Sequence, residues 1–526
     1  MSRKLTQSNR HGAFFLALWL ASSCAHGAGG AERSAGPLAE APPRGASQSP
    51  RELASPPAFF SELSAQARAL AEKPAAPAPE MELPSELQRL DYDGYRNIRF
   101  RPERSWWRGE PGRFELQFFH PGPGYREPVW ISVLEQGGAR PIAFSPELFS
   151  YQGLARPALG TGLEFTGFRV HAPLNQAAYR DEVVAFHGAS YFRAVGKSDV
   201  YGASARGLAI DLGAAQPEEF PRFSHFYLVR PGASDRSLWI LALLESRRAT
   251  GAYAFRVEPG ATTTIEVSAR LFVRDAGAVL GLAPLSSMYL CGEEAPNCFG
   301  DFRPEIHDSD GLELWAASGE RLFRPLRNPE RTVSSSFRLD APRGFGLVQR
   351  DRDFDHYQDL EARYQDRPSV WIEPLAGFSQ GSVRLLEIPA RSETGDNIAL
   401  AWVPDRTPAL PAELELRYRL NVGRATPQVA TGHVTATRLT HTEHGLRVLV
   451  DFALAAAAQG RPALVLSSPG ARVLEQHLED NPHAHTLRAS FELAREPGAH
   501  DVELRAFLKT DSDTLTETWS YAWQAN

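Results

Sequence analysis

The chain reads as an all-β protein, a large antiparallel β-sandwich followed by a smaller immunoglobulin-like sandwich. Three observations carry this. From Thr264 to Val273 the apolar residues Ile265, Val267, Ala269, Leu271 and Val273 fall at every second position, the spacing of a strand with one buried face. Phe114, Leu116 and Phe118 repeat the pattern near the start. Between residues 90 and 402 such segments alternate with Gly, Pro and Asp turns, and the regular intervening helices of a mixed α/β fold are missing.

Taken in order, residues 1–27 have the plan of an export signal. Arg3, Lys4 and Arg10 precede the apolar run from Ala13 to Ala21, which is too short to span a bilayer, and small residues follow. Cleavage near Ala25-His26-Gly27 predicts a soluble exported protein. The alternative is a lipid anchor on Cys24 after Leu20-Ala21-Ser22-Ser23, with Ala21 where a lipobox usually has Leu. Residues 28–57 are rich in Ala, Gly, Pro, Ser and Arg and too poor in large apolar side chains to offset ordering entropy, so a flexible tether is expected. A helix is expected from Phe60 to Glu72, with Leu63, Ala67 and Leu70 on one face and Pro74 ending it. The large sandwich is placed at 58–403. Pro404 to Pro411, with three prolines in eight residues, reads as a stiff linker. Residues 412–526 then form the immunoglobulin-like domain: Leu414, Leu416, Tyr418, Leu420 and Val422, and later Leu446, Val448, Val450 and Phe452, again alternate.

A length of 526 residues exceeds what one core usually serves, which agrees with two domains. The net charge of −7 comes from interspersed charges with no long basic run, which argues against a nucleic-acid partner. In an oxidising compartment Cys291 and Cys298 could close a small loop; the other reading is two free thiols. A zinc site lacks a ligand set, because no His pair lies near the two cysteines. Gly-x-Ser-x-Gly, the phosphate loop Gly-x-x-x-x-Gly-Lys-Ser/Thr and Gly-x-Gly-x-x-Gly are all absent, so no cofactor is expected.

Two acidic runs stand out: Pro304-Glu305-Ile306-His307-Asp308-Ser309-Asp310-Gly311 and Glu393-Thr394-Gly395-Asp396-Asn397. Carboxylates on separate turns of a β scaffold suit glycoside cleavage, one protonating the leaving oxygen and one drawing a proton from water. Asp-x-Asp-Gly also resembles part of a calcium loop, but the regular third ligand and the distal Glu are lacking. An Asx-turn explains the same residues without any ligand. In the second run Asp396 and Glu393 compete as proton donor, and a solvated turn is the bland reading. Between the runs, the charge-rich stretch from Gln349 to Tyr364, with Arg367 and Trp371 beyond, suits either a sugar cleft or a salt-bridged loop. Tyr191, Arg193 and Lys197 form an earlier aromatic and basic cluster beside Phe192, which is expected in the core.

At these motifs the chain closely resembles the periplasmic glucan biosynthesis protein G and D family, which serves osmoregulated periplasmic glucans of Gram-negative bacteria. The agreement runs through Leu90 to Phe100, Phe186 to Lys197, Leu282 to Met288, Arg303 to Gly311, Gly344 to Phe354, and Asn397, and it spans roughly residues 60–522. The resemblance implies a cleft in the first sandwich and action on β-1,2-glucan by an inverting endo-hydrolase or a related transglycosylase. Carried over by position, Asp396 would be the general acid and Asp308 the general base, with Tyr364 and Arg367 as cleft contacts. The rival reading is a non-catalytic glucan-binding factor that assists branching or release; in the hydrolase reading the linear chain emerges from an inner-membrane glucan synthase, the other expected partner beside the glucan. Inversion requires the carboxyls to stand about 6.5–9.5 Å apart, or more with a water relay. The chain departs from its relatives at Gly395, where Asn is usual, in the Cys291–Cys298 segment, and in its long tether. Nothing in it fixes an oligomeric state.

Overall fold

The computed structural model describes residues 56–524, apart from 136–137, 155, 157–161, 295–297, 407–409, 411, 426–430 and 456–459. The expected signal 1–27, nearly all of the tether 28–57, and residues 407–409 and 411 of the expected linker lie outside the described residues. Among the described residues no helix is long and apolar enough to cross a membrane.

The fold is all-β, as the two-residue period predicts. One sheet of ten strands and one of fourteen make up most of it. Among the described strands pairing is antiparallel except that Arg222–Val229 runs parallel to Trp130–Glu135 and Arg321–Pro325 runs parallel to Thr518–Trp523. The strand Thr263–Val273 alternates buried and half-buried positions up to Leu271, as its sequence demands. A single large core fills the space between the sheets. Phe186, from the ten-stranded sheet, meets Phe226 and Phe255 of the fourteen-stranded sheet edge-on, each with ring centroids 5.2 Å apart. Aromatic pairs of this kind add to the stabilisation that burial alone supplies.

The expected N-terminal helix spans Pro56–Ala71. Its earlier start is allowed because prolines in a first turn lose no intrahelical hydrogen bond. Leu63 and Ala67 pack on Leu241, Leu243, Ala252, Ala254 and Phe272, and the Thr250 hydroxyl donates to the Ala67 carbonyl at 2.7 Å. The helix therefore covers the outer face of this sheet. That accounts for the nearly continuous burial along Leu238–Glu245 and Ala249–Glu258.

One expected boundary has to be moved. Ala412–Gly423 is a strand, but it lies in the large sandwich, hydrogen-bonded between Thr263–Val273 and Ser369–Ala376. The large unit therefore continues to Gly423, past the expected linker 404–411. The alternation of Leu414 to Val422 correctly signals a strand with one apolar face. It carries no information on which sheet that face joins.

Beyond this strand, His433–His441, Leu446–Ala453, Thr486–Arg495 and Ala471–Asn481 form a four-stranded antiparallel sheet. It packs on Ala463–Ser467, Val502–Lys509 and Thr518–Trp523 through a second core containing Val448, Val450, Phe452, Phe491, Leu504 and Trp519. Phe323 and Val348 of the first unit enter that core. Those three facing strands are also the end of the fourteen-stranded sheet, so one sheet runs through both sandwiches.

Candidate active site

Asp308 follows the short strand Ile306–His307, which pairs with Tyr289–Cys291. Its N–H donates to the Met288 carbonyl at 2.8 Å, and its carboxylate is held by the Arg367 guanidinium. Asp308 is 3% exposed. Its neighbour Asp310 is occupied differently: Oδ2 accepts the backbone N–H groups of Arg350 at 2.6 Å and Asp351 at 2.9 Å. Gly311 must be glycine, because a Cβ there would lie 2.1 Å from the Phe323 ring. The Asp-x-Asp-Gly run thus divides its labour. Asp310 and Gly311 set the backbone, and Asp308 faces the site.

Asp396 lies just before the strand Ile398–Pro404. Arg193 Nη2 stands 3.6 Å from its Oδ1, and the Ser204 hydroxyl donates to Oδ2 at 3.3 Å. The supporting strands Tyr191–Ala194, Ser204–Arg206, Leu280–Ser287 and Ile398–Pro404 are successive neighbours in the ten-stranded sheet. Residues remote in sequence therefore come to the same end of one sheet.

Electrostatics join the two carboxyls. Burial pushes Asp308 above the usual carboxylate range, Arg367 opposes this, the charge of Asp396 adds to it, and Arg193 and His307 oppose it further. Tyr191, half-buried, is raised by burial, with Arg206 opposing and Asp396 adding. The Arg206 guanidinium lies 5.3 Å from the centre of its ring. Asp308, Asp396, Arg193, Arg367 and Tyr191 are thus one constellation.

Tyr364 and Arg367 belong to its wall. The Arg367 guanidinium lies 4.3 Å from the Tyr364 ring centre and donates to the Ala362 carbonyl from Nε at 3.4 Å and Nη2 at 3.3 Å. The Tyr364 hydroxyl donates to Glu393 at 2.6 Å, and Arg303 Nη1 reaches Glu393 at 2.9 Å and Asp359 at 2.7 Å. Glu393, the competing donor in the sequence, is therefore tied into a bracing network. Tyr364 is fully buried, so in this conformation it supports Arg367 and Glu393 and offers no stacking face.

Two expected binding residues lie elsewhere. Trp371 is 1% exposed within the strand Ser369–Ala376, its ring pressed on Gly344, where a Cβ would come within 2.2 Å. It is a core residue, because a charge-rich neighbourhood in sequence says nothing about which face of a strand a side chain takes. Lys197 is exposed in the turn after Tyr191–Ala194, with its N–H bonded to the Gly260 carbonyl at 3.1 Å. The cysteines are joined as Cys291–Cys298, with Cα atoms 5.4 Å apart.

Some contributors were not singled out from the sequence. His307 bonds Glu305 through Nε2 at 2.9 Å and Gln349 through Nδ1 at 3.0 Å. Burial opposes its charge, yet the hydrogen bond and charge of Glu305, with Asp310 and Glu294 adding, push it up to about 9. It therefore sets a positive charge next to Asp308 at neutral pH. The only sequence signal was a His inside an acidic run. Glu305, Asp351 and His356 bring ligand-type atoms within 4.8 Å of one another. Their bonds to His307 and to each other already engage them, so nothing in the geometry calls for an ion.

The sequence profile of the family described as "Periplasmic glucan biosynthesis protein, MdoG" matches residues 59–523. Among similar proteins, a "Glucans biosynthesis protein G" from Ralstonia nicotianae is 42% identical over 482 residues, covering 88% of this chain and 95% of its own length. Proteins of the same name from Sodalis glossinidius and Serratia proteamaculans are 40% and 39% identical, covering 88% and 90% of this chain and 92% and 95% of their own. The chain belongs to the periplasmic glucan biosynthesis protein family.

Proposed function

We propose that this protein cleaves β-1,2-glucan by inverting endo-hydrolysis, trimming or remodelling a periplasmic glucan. Asp396 donates a proton to the glucosidic oxygen, and Asp308 takes one from the attacking water, directly or through a second water. Water supplies the new hydroxyl on the anomeric carbon, the bond to the leaving sugar breaks, and the proton gained at Asp308 returns to Asp396 through solvent. The observation that carries the reading is the electrostatic meeting of Asp308 and Asp396, each with its own arginine. A base raised by burial is a stronger base, and the Arg367 guanidinium favours its ionised form. Asp396 keeps a side-chain exposure of 14%, so a sugar oxygen can reach it.

The export signal at 1–27 and the Cys291–Cys298 bridge both suit the periplasm, and a soluble form is favoured over an anchor on Cys24. An inner-membrane synthase would supply the linear chain. A second reading, a non-catalytic glucan-binding factor, is favoured by the near-complete burial of Asp308 under Arg367. Incubation of purified protein with linear β-1,2-glucan separates the two. Shorter oligosaccharides, lost by at least about 10³-fold in Asp396→Asn and in Asp308→Asn, support hydrolysis. Binding without shortening supports the factor, and new linkages at constant reducing-end count indicate transglycosylation.

A further inference from the structure

We infer that Asn397 is a positioning residue that sets the spacing between the two carboxyls. The inference rests on the hydrolytic reading for its kinetic consequence, but its geometry stands alone. The backbone ladder between Leu280–Ser287 and Ile398–Pro404 ends at the pair Ser287 and Ile398. One step further the Asn397 side chain takes over. Its Oδ1 accepts the Tyr289 N–H at 2.8 Å, and its Nδ2 donates to the carbonyls of Tyr289 at 2.9 Å and Ile388 at 3.0 Å. Its own carbonyl accepts the Ile388 N–H at 2.8 Å. A side-chain amide that copies a peptide group lets the main chain leave the sheet at once, which frees Asp396 from the alternation of the strand.

The other side of the same short segment carries Asp308. Tyr289 pairs with His307, and the Met288 carbonyl accepts the Asp308 N–H. Met288 and Tyr289 are therefore a shared spine, gripped from one side by the residue after the proposed acid and from the other by the proposed base and its neighbour. The ring of Tyr289 stacks on His307 with centroids 5.2 Å apart, and its hydroxyl bonds Glu294 inside the disulfide-closed loop, so the spine is itself braced.

Asn is required because the position faces one donor and two acceptors, and it is 4% exposed. Asp keeps the acceptor but sets a carboxylate against two carbonyls. Ala removes the whole link. Ser restores one donor and one acceptor on a shorter arm.

The test uses the full-length protein and linear β-1,2-glucan. Asn397→Ala should lower kcat at least 100-fold with KM within threefold of the parent, and Asn397→Ser should recover part of the loss. A second readout needs no turnover. Carbon-13 NMR of labelled aspartates should show Asp308 titrating at lower pH in Asn397→Ala, because Asp396 is no longer held near it; Asn397→Ser serves if the alanine form does not fold. The inference is overturned if kcat stays within threefold and the titration does not move. A proportionate fall of kcat and glucan affinity with an unmoved titration also overturns it, as that marks a merely structural role. If the parent binds glucan without shortening it, the hydrolytic reading fails instead, and the titration alone decides: a shift sustains the positioning role and its absence ends it.

Discussion

Asp308 and Arg367 form a buried ion pair. Removing one partner of such a pair leaves an uncompensated charge and costs about 3–5 kcal/mol. Arg367→Met is therefore expected to destabilise the protein by that order in denaturant unfolding. It should also move the acid limb of the pH–rate profile to higher pH, because Arg367 is the foremost of the charges that lower Asp308 against burial. Arg367→Lys should restore part of both effects. Trp371 gives the opposite expectation to a sugar-stacking residue. Its ring fills the space over Gly344 in the large sandwich, so Trp371→Ala should cost about 3–5 kcal/mol of stability, while the folded fraction keeps its glucan KM. A loss of affinity at unchanged stability would contradict its place in the core.

At the scale of elements, the N-terminal helix and the disulfide loop each tie a local segment to a distant one. Leu63 is 2% exposed beneath the helix, and Leu63→Ala should lower stability by about 2–4 kcal/mol. Loosening of the helix alone would appear as faster amide exchange in Pro56–Ala71 with the sheets unchanged. The Cys291–Cys298 loop carries Glu293, which accepts the Thr437 N–H and pairs with Arg438 of the second sandwich at 3.4 Å. A bridge between residues seven apart contributes about 2.5 kcal/mol by loop entropy. Reduction should lower the thermal midpoint and expose the strand His433–His441 to exchange before the first sandwich opens.

For the molecule as a whole, one sheet runs through both sandwiches and an acidic cavity lies where they meet, lined by Glu293, Glu294, Glu305, His307, Arg350 and Thr437 among others. Burial pushes Glu293 up to about 8 and Glu294 up to about 7, and the acid partners of His307 push it up to about 9. Groups raised on folding lend stability that is present at low pH and lost as pH rises through their folded values. Burial lowers His120 to about 4 and His187 to about 3, so their contribution is lost as pH falls below the ordinary histidine range. Stability should therefore be greatest near pH 4.5–6.5 and decline toward pH 9, and Glu293→Gln should flatten that decline by about 1–2 kcal/mol. A thermal midpoint rising between pH 6.5 and 9 would contradict the cavity's role. The all-β class, the strand at 412–423 and the acidic runs were legible in the chain, because side-chain alternation and carboxylate chemistry are local properties. The N-terminal helix was legible for the same reason. Which sheet the strand at 412–423 joins, the burial of Trp371 against Gly344 and the burial of Tyr364 were not. They depend on contacts between segments far apart in sequence, and pattern within a segment cannot report what lies across from it.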